Sequence, residues 1–189
     1  MRILGIGKAL PEHYYSQDEL LEALREELAD KYFNFPRVEK LHKNVLVGGR
    51  HLAIPLEDLR SVQTFGQAND HYIEEAQKLG EAAIVEASEQ AGTSPQDLNA
   101  VLFTTVTGLA TPSIDARLMN RLSLRSDTVR MPFFGLGCVG GAAGLSRCND
   151  WLLGHPDKLA VLLTVELCSL TLQRTDLSIP NLISTGLFG

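Results

Sequence analysis

Among the side chains able to do covalent chemistry, Cys138 has the most telling surroundings. It lies in Phe133-Phe134-Gly135-Leu136-Gly137-Cys138-Val139-Gly140-Gly141-Ala142-Ala143-Gly144-Leu145, which opens as an apolar strand, turns through Gly-x-Gly and runs into a helix. The spacing places the cysteine in the first turn of that helix. Backbone N–H groups there lack intrahelical partners and the macrodipole is positive. A thiolate, the nucleophilic form of the group, is stabilised at such a point. The same N–H groups can hold an oxyanion developing on an attacked carbonyl. The other reading is a buried structural cysteine, the usual fate of a free Cys. The local pattern leaves both open.

Cys148 and Cys168 complete a set of three cysteines, an odd number without CxxC spacing. That argues against a zinc site and a disulfide framework, and fits a reducing cytoplasm. The five histidines, at 13, 42, 51, 71 and 155, form no HxxxH or HExxH pattern, so no metal is expected. His155, just beyond Gly154, reads as a surface or cap residue. Pro36 is followed by Arg37, Lys40, His42 and Lys43, a basic cluster in an otherwise acidic chain. It reads either as a solvated helix face or as a phosphate contact.

The elements that must position these groups follow from periodicity. From Val139 to Leu145 no face carries a polar side chain, so that helix is expected to be buried on every side. It is far too short to cross a bilayer. Its three glycines cost helix propensity, which close approach of neighbouring backbones offsets. Arg2 to Ala9 alternates and reads as a strand. Ser16-Gln17-Asp18-Glu19 is a capping box opening an amphipathic helix through about Ala29. Gly48-Gly49 breaks the basic segment, and Arg50 to Leu59 looks irregular. Asn69 to Ala91 is the longest predicted helix, with Ile73, Ala76, Gly80, Ala83, Ile84 and Ala87 as its stripe and Gly92 as its C′ glycine. Ser94-Pro95-Gln96-Asp97 caps a short turn. Ala100 to Val106 is a near-continuous run of Val, Leu, Phe and Thr, as in a buried parallel strand, with a loop from Thr107 to Pro112 at its end. A helix over Ile114–Leu122 and strands over Thr128–Phe134 and Leu159–Val165 follow, the helix after Cys138 running to about Leu153.

Strands alternating with helices indicate an α/β fold with a largely parallel sheet. Ligands in such sheets bind beyond the carboxyl ends of the strands. Those ends are the Thr107 loop, the Gly135 turn and Glu166-Leu167-Cys168-Ser169, so they should converge around Cys138. The 189 residues suffice for one domain with a substantial core, and 44% hydrophobic with 21% charged residues is ordinary for a globular protein. A net charge of −6 argues against a general nucleic-acid or anionic-membrane binder. No signal peptide, membrane span or P-loop pattern is present, and no GxGxxG follows the first strand.

Three motifs carry a resemblance. Thr107-Gly108-Leu109-Ala110-Thr111-Pro112-Ser113-Ile114-Asp115-Ala116-Arg117, then Gly135-Leu136-Gly137-Cys138-Val139-Gly140-Gly141-Ala142-Ala143-Gly144, then Glu166-Leu167-Cys168-Ser169 occur in the order and at the spacing of bacterial type III polyketide synthases. The chain resembles this chalcone-synthase-like branch of the thiolase superfamily along most of its length. The resemblance implies a thiolase-like fold: one αβα half, with a largely parallel sheet and a buried nucleophile helix.

It also implies an activity. Such enzymes load an acyl group from a CoA thioester onto a cysteine, extend it by decarboxylative condensation with malonyl-CoA and cyclise the product. They use acyl-CoA and malonyl-CoA as substrates and no further cofactor, and they are cytoplasmic homodimers without stable membrane insertion. Cys138 matches the acyl-carrying cysteine. Thr107, Cys168 and Thr171 match positions lining the starter and elongation cavity, with Val106 beside them. Thr111, ahead of an expected cis proline at Pro112, matches a residue that reaches the partner's cavity across the dimer interface. Arg37 and Lys40, with Lys43 nearby, match positions that hold CoA phosphates, and Asn44 stands where plant enzymes have another lysine. Phe188 matches a phenylalanine at the junction of the CoA tunnel and the cavity.

Members of that family are built of two similar halves, and residues 1–189 correspond to the first. The histidine and asparagine that activate the thiolate and drive decarboxylation lie in the second and have no counterpart here, so this chain alone is expected to be inactive in condensation. Two alternatives stand beside this reading: a beta-ketoacyl synthase III-like enzyme of fatty-acid synthesis, and a non-catalytic half-domain acting as an interaction subunit. Bacterial members with this motif style use long fatty acyl-CoA, or malonyl-CoA alone to make tetrahydroxynaphthalene. The expectation taken here is the fatty acyl starter.

Overall fold

A computed structural model describes residues 1–28 and 34–188. In chain order its elements are β1 (His13–Ser16), α1 (Gln17–Leu28), α2 (Phe35–Asn44), β2 (Gly49–Leu52), α3 (Leu56–Leu59), α4 (Phe65–Gln90), β3 (Ala100–Thr105), α5 (Ile114–Arg121), β4 (Val129–Phe134), α6 (Gly140–Gly154), β5 (Ala160–Thr164) and α7 (Ile179–Leu187). Short 3-10 turns stand at Pro95–Asp97, Gly137–Val139 and Cys168–Thr171. Ala29 and Gly189 lie outside the described residues. The chain divides into two compact units, one made of Met1–Leu10 and Asn69–Glu166, the other of Pro11–Ala68 and Leu167–Gly189.

The first unit is built on a parallel sheet of order β4-β3-β5. All six residues of β3 are buried, which is why its sequence, Ala-Val-Leu-Phe-Thr-Thr, shows no alternation with charged side chains. Glycines let helices approach both faces. A Cβ on Gly140 would stand 2.7 Å from Thr104 Oγ1, and one on Gly144 would stand 2.5 Å from Leu162, so α6 lies directly on β3 and β5. Its buried Cys148 packs with Ala100 and Leu102, against Met131, Phe133 and Trp151. On the opposite face a Cβ on Gly80 of α4 would meet Leu163 and Leu118 at 3.1 and 3.2 Å. Helix, sheet and helix thus form the expected αβα layers. The buried row of α4 is Ala68, Tyr72, Ala76, Gly80, Ile84 and Ser88; of the predicted stripe, Ile73, Ala83 and Ala87 are only half-buried. Gly92 takes φ +66° just beyond that helix, as a C′ glycine does.

Two expectations are corrected here. Arg2 to Ala9 pairs with no strand among the described residues. The segment lies along α4 instead: a Cβ on Gly5 or Gly7 would come within 2.2 Å of Ala87 O or 1.9 Å of Ala83 O. Its N–H groups are used by helix side chains, Ile6 donating to Gln90 Oε1 at 3.2 Å and Lys8 to Glu86 Oε2 at 2.6 Å. Alternate glycines that seat a chain on a helix give the same period-two pattern as a strand. The second correction concerns α6. Only Gly140, Gly144 and Cys148 are buried, while Val139 and Leu145 are 57% and 43% exposed. The glycine edge packs on the sheet, and the other apolar face is uncovered among the described residues.

In the second unit β1 and β2 pair antiparallel, Tyr15 opposite Arg50. The capping box forms as expected, Ser16 N–H donating to Glu19 Oε2 at 2.7 Å and Glu19 N–H to Ser16 Oγ at 3.3 Å. Leu21 and Leu24 of α1 meet Phe35 and Val38 of α2 and Leu182 of α7 in a small core. The segment read as irregular from Arg50 to Leu59 in fact holds most of β2 and the single turn of α3. No helix among the described residues is long and apolar enough to cross a membrane.

Candidate functional site

The register of the first unit determines what meets at the carboxyl edge of its sheet. Thr105 stands opposite Phe134, and Thr104 opposite Thr164. The segments after the three strands, carrying Val106 and Thr107, Gly135 to Cys138, and Glu166, therefore leave the sheet along one edge. Gly135 and Gly137 adopt φ +85° and +56°, left-handed values that favour glycine. The turn they make delivers Cys138 to the 3-10 turn Gly137–Val139, which leads without a break into α6. The cysteine is exposed there, whereas Cys148 of the same helix is buried and burial raises its thiol pKa.

At the same edge of the sheet the Glu166 carboxylate accepts the Val106 N–H at 3.0 and 3.1 Å and the Thr107 hydroxyl at 2.8 Å. The loop is held again by Asn69, whose amide donates to Leu109 O at 2.8 Å and accepts Leu109 N–H at 2.7 Å. Tyr72 donates to Thr105 Oγ1 at 2.9 Å, and burial pushes its pKa up to about 12, so it stays a neutral donor. The Thr111–Pro112 peptide is cis and both residues are exposed. The motif reading marked Glu166 only as the end of a strand; neither its clamp nor those of Asn69 and Tyr72 leave a signature in a single sequence.

The second unit holds a separate feature, an apolar cleft of about 810 Å³ counting the space open to solvent at its mouth. Cys168, Thr171 and Phe188 come together in its wall with Leu20, Leu24, Leu56 and Leu59. The other residues assigned to a substrate cavity, Val106, Thr107 and Thr111, belong to the first unit. Two basic residues on the cleft, Arg60 and Arg174, pair with Glu26 and Glu27. On α2, Arg37, Lys40 and Lys43 are all exposed, and none has a carboxylate partner among the described residues. His42, read with them as a basic group, turns the other way: it is 2% exposed and lines the cleft.

Burial, and then the nearby Arg50 guanidinium, lower the His42 pKa to about 4, so its ring is neutral at physiological pH. The sign of the resulting pH effect follows from proton counting. Between an ordinary value of 6.5 and about 4 the unfolded chain binds a proton that the folded chain does not. The stability due to neutral His42 is therefore complete above that window, falls as pH drops through it, and changes no further below. Melting curves at stepped pH should show this group contributing about 3 kcal/mol across the window. A His42→Gln chain should lose that part of the slope; equal slopes in the two chains would mean that His42 is not buried neutral.

Comparison with known proteins agrees with this architecture. Residues 1–189 match the family of chalcone and stilbene synthases, N-terminal domain. The chain is 46% identical over 187 residues to 1,3,6,8-tetrahydroxynaphthalene synthase of Streptomyces peucetius subsp. caesius, covering 99% of this chain and 49% of that protein. It is 37% identical over 192 residues to a putative chalcone synthase of Bacillus subtilis, covering 99% of this chain and 53% of the relative. The crystal structure of 1,3,6,8-tetrahydroxynaphthalene synthase from Streptomyces coelicolor, a bacterial type III polyketide synthase, superposes with TM-score 0.91 at 31% identity, over 98% of this chain and 54% of that one. The chain spans about half the length of the relatives it matches. With its αβα layers and its cysteine at the start of α6, it belongs to the chalcone and stilbene synthase family, type III polyketide synthases of thiolase-like fold, as the N-terminal domain.

Proposed function

We propose that this chain supplies the nucleophile of a type III polyketide synthase, with Cys138 as the acyl carrier. In the loading step the Cys138 sulfur, as thiolate, attacks the carbonyl carbon of an acyl-CoA thioester. The oxyanion that forms is held by N–H groups at the start of the helical turn. It collapses with loss of the CoA sulfur, which takes up a proton, and the acyl group remains as a thioester on Cys138. The observation that carries this reading is the exposed Cys138 at the end of a glycine turn and the head of α6. Extension follows by decarboxylative condensation with malonyl-CoA. The groups that drive it belong to the C-terminal half in this family, so the chain by itself loads but does not condense. The working protein is a cytoplasmic homodimer, Thr111 reaching the partner copy.

Two observations bear on the starter. The relative named tetrahydroxynaphthalene synthase favours malonyl, while the apolar cleft of the second unit favours an aliphatic acyl group. Incubation with malonyl-CoA or with decanoyl-CoA, followed by intact-mass measurement and peptide mapping, tests the reading and separates the two. One acyl group on Cys138 is the expected result. No adduct with either thioester, on a chain shown to be folded, would overturn it.

The exposed cations of α2 take the CoA phosphates in this reading. Neutralising Arg37 and Lys40 together is expected to weaken CoA binding roughly tenfold at low salt, from two surface charge contacts. The difference should shrink at high salt, where such contacts are screened. Titration calorimetry at two ionic strengths checks it, and equal affinities at low salt would leave these residues as a solvated face.

A further inference from the structure

The loading step uses neither His42 nor Arg50, yet both are buried, at 2% and 7% exposure, on the wall of the cleft. A buried polar pair is costly unless its hydrogen bonds are made. Here the bonds run in one direction. The Gln17 side-chain amide donates to His42 Nδ1 at 3.3 Å and to His42 O at 3.0 Å. With Nδ1 accepting, the neutral ring carries its proton on Nε2 and donates it to Thr185 Oγ1 at 3.1 Å. That hydroxyl in turn donates to Leu182 O at 2.7 Å. Arg50 Nη2 donates to Gly186 O. The His42 ring also lies 3.5 Å from where a Cβ on Gly186 would stand, so it packs on the backbone there.

Gln17 orients the His42 ring, and the contacts that His42 and Arg50 then make both end on the last turn of α7, at Thr185 and Gly186. The carbonyls of such a turn lack intrahelical partners and form the negative end of the macrodipole, so a buried guanidinium is well placed against them. The same turn carries Ser184 and Thr185 into the wall of the cleft and ends at Phe188, which also lines it. Apolar contacts alone, such as Leu182 in the small core, leave a helix end free to slide or rotate; directional hydrogen bonds do not.

We propose that His42 and Arg50 are positioning residues that fix the end of α7 and Phe188, and thereby set the length of aliphatic chain the cleft admits. That the ligand is an acyl-CoA rests on the acyl-transfer reading; the clamp itself does not. The test compares the unchanged chain with His42→Leu, Arg50→Met and the milder Thr185→Val, and with His42→Gln, whose amide can both accept and donate. Hydrogen exchange over residues 182–188 reads the clamp. Binding of butyryl-, octanoyl- and dodecanoyl-CoA reads the cleft.

In the unchanged chain one length is expected to bind best. His42→Leu, Arg50→Met and Thr185→Val should speed exchange in α7 and flatten the length preference, each by roughly tenfold for one lost buried hydrogen bond. His42→Gln should restore most of both. If a core variant does not fold, Thr185→Val, which removes one hydroxyl from a half-buried position, still decides the matter. Unchanged exchange, faster exchange with an unchanged length preference, or no length preference in the unchanged chain would each overturn the proposal. If no thioester binds the unchanged chain, the acyl-CoA reading fails; a series of aliphatic alcohols then probes the same cleft and decides the clamp by the same comparison.

Discussion

A chain in which Cys138 is replaced by alanine takes up no acyl group from acyl-CoA, a loss in loading of roughly a thousandfold or more, as when other enzymes lose their nucleophile. The size of the effect follows from the surroundings of the three thiols. Cys148 is 4% exposed in the core beneath α6, and its pKa is raised by burial, so it offers little thiolate. Cys168 is half-buried in the second unit, in a 3-10 turn whose Thr171 hydroxyl donates back to Cys168 O at 2.8 Å. Cys138 alone is exposed at the head of a long helix. Cys148→Ala, which removes a thiol of the core, should still load on Cys138. Limited alkylation with a small reagent near neutral pH should label Cys138 first. An acyl adduct that persists in Cys138→Ala and maps to Cys168 would move the nucleophile to the second unit and overturn the assignment.

What could be read beforehand was what local chemistry determines. β3 was legible because a strand buried on both faces reads as a run of apolar and β-branched residues without alternation, here Ala-Val-Leu-Phe-Thr-Thr. The start of α1 was legible in Ser16 and Glu19, and the turn before α6 in two glycines that must take positive φ. β1 and β2 were not: each is four residues long, and they are joined only by pairing across the intervening α1 and α2. The N-terminal segment misled because seating glycines on a helix copies the period of a strand. α6 misled for a different reason. An apolar surface in the sequence states what must be covered, not what covers it, and its outer face has no cover among the described residues.

At the sites, composition disclosed charge but not direction. His42 was counted with Arg37, Lys40 and Lys43, although Phe35, Val38 and His42 recur at the spacing of one helix face and share its burial. That periodicity was the signal that could have separated the ring from the cations. Arg50 left no comparable trace, because its partner is a backbone carbonyl 136 residues away.

The second large effect is expected at Gly108. Nothing about its backbone demands glycine; the space does. A Cβ there would stand 2.1 Å from two ring atoms of Tyr72. Tyr72 is fully buried, with its hydroxyl tied to Thr105 Oγ1 at 2.9 Å, so the ring cannot retreat without giving up that bond. The loop cannot retreat cheaply either. Glu166 holds it at Val106 and Thr107, and Asn69 holds it at Leu109. Gly108→Ala is therefore expected to cost about 1–3 kcal/mol by overpacking, near the upper end because a buried hydrogen bond is put at risk. For a chain of this size that lowers the melting temperature by roughly 5–10 °C. Acyl loading should slow as well, because the displaced loop leaves the sheet along the same edge as Cys138. Adding Tyr72→Leu removes the ring that the new methyl strikes, so the double variant should be less destabilised than the two single changes added together. Strict additivity, or a Gly108→Ala chain that melts with the unchanged one, would show that ring and loop move apart freely and that Tyr72 does not set the position of Thr107.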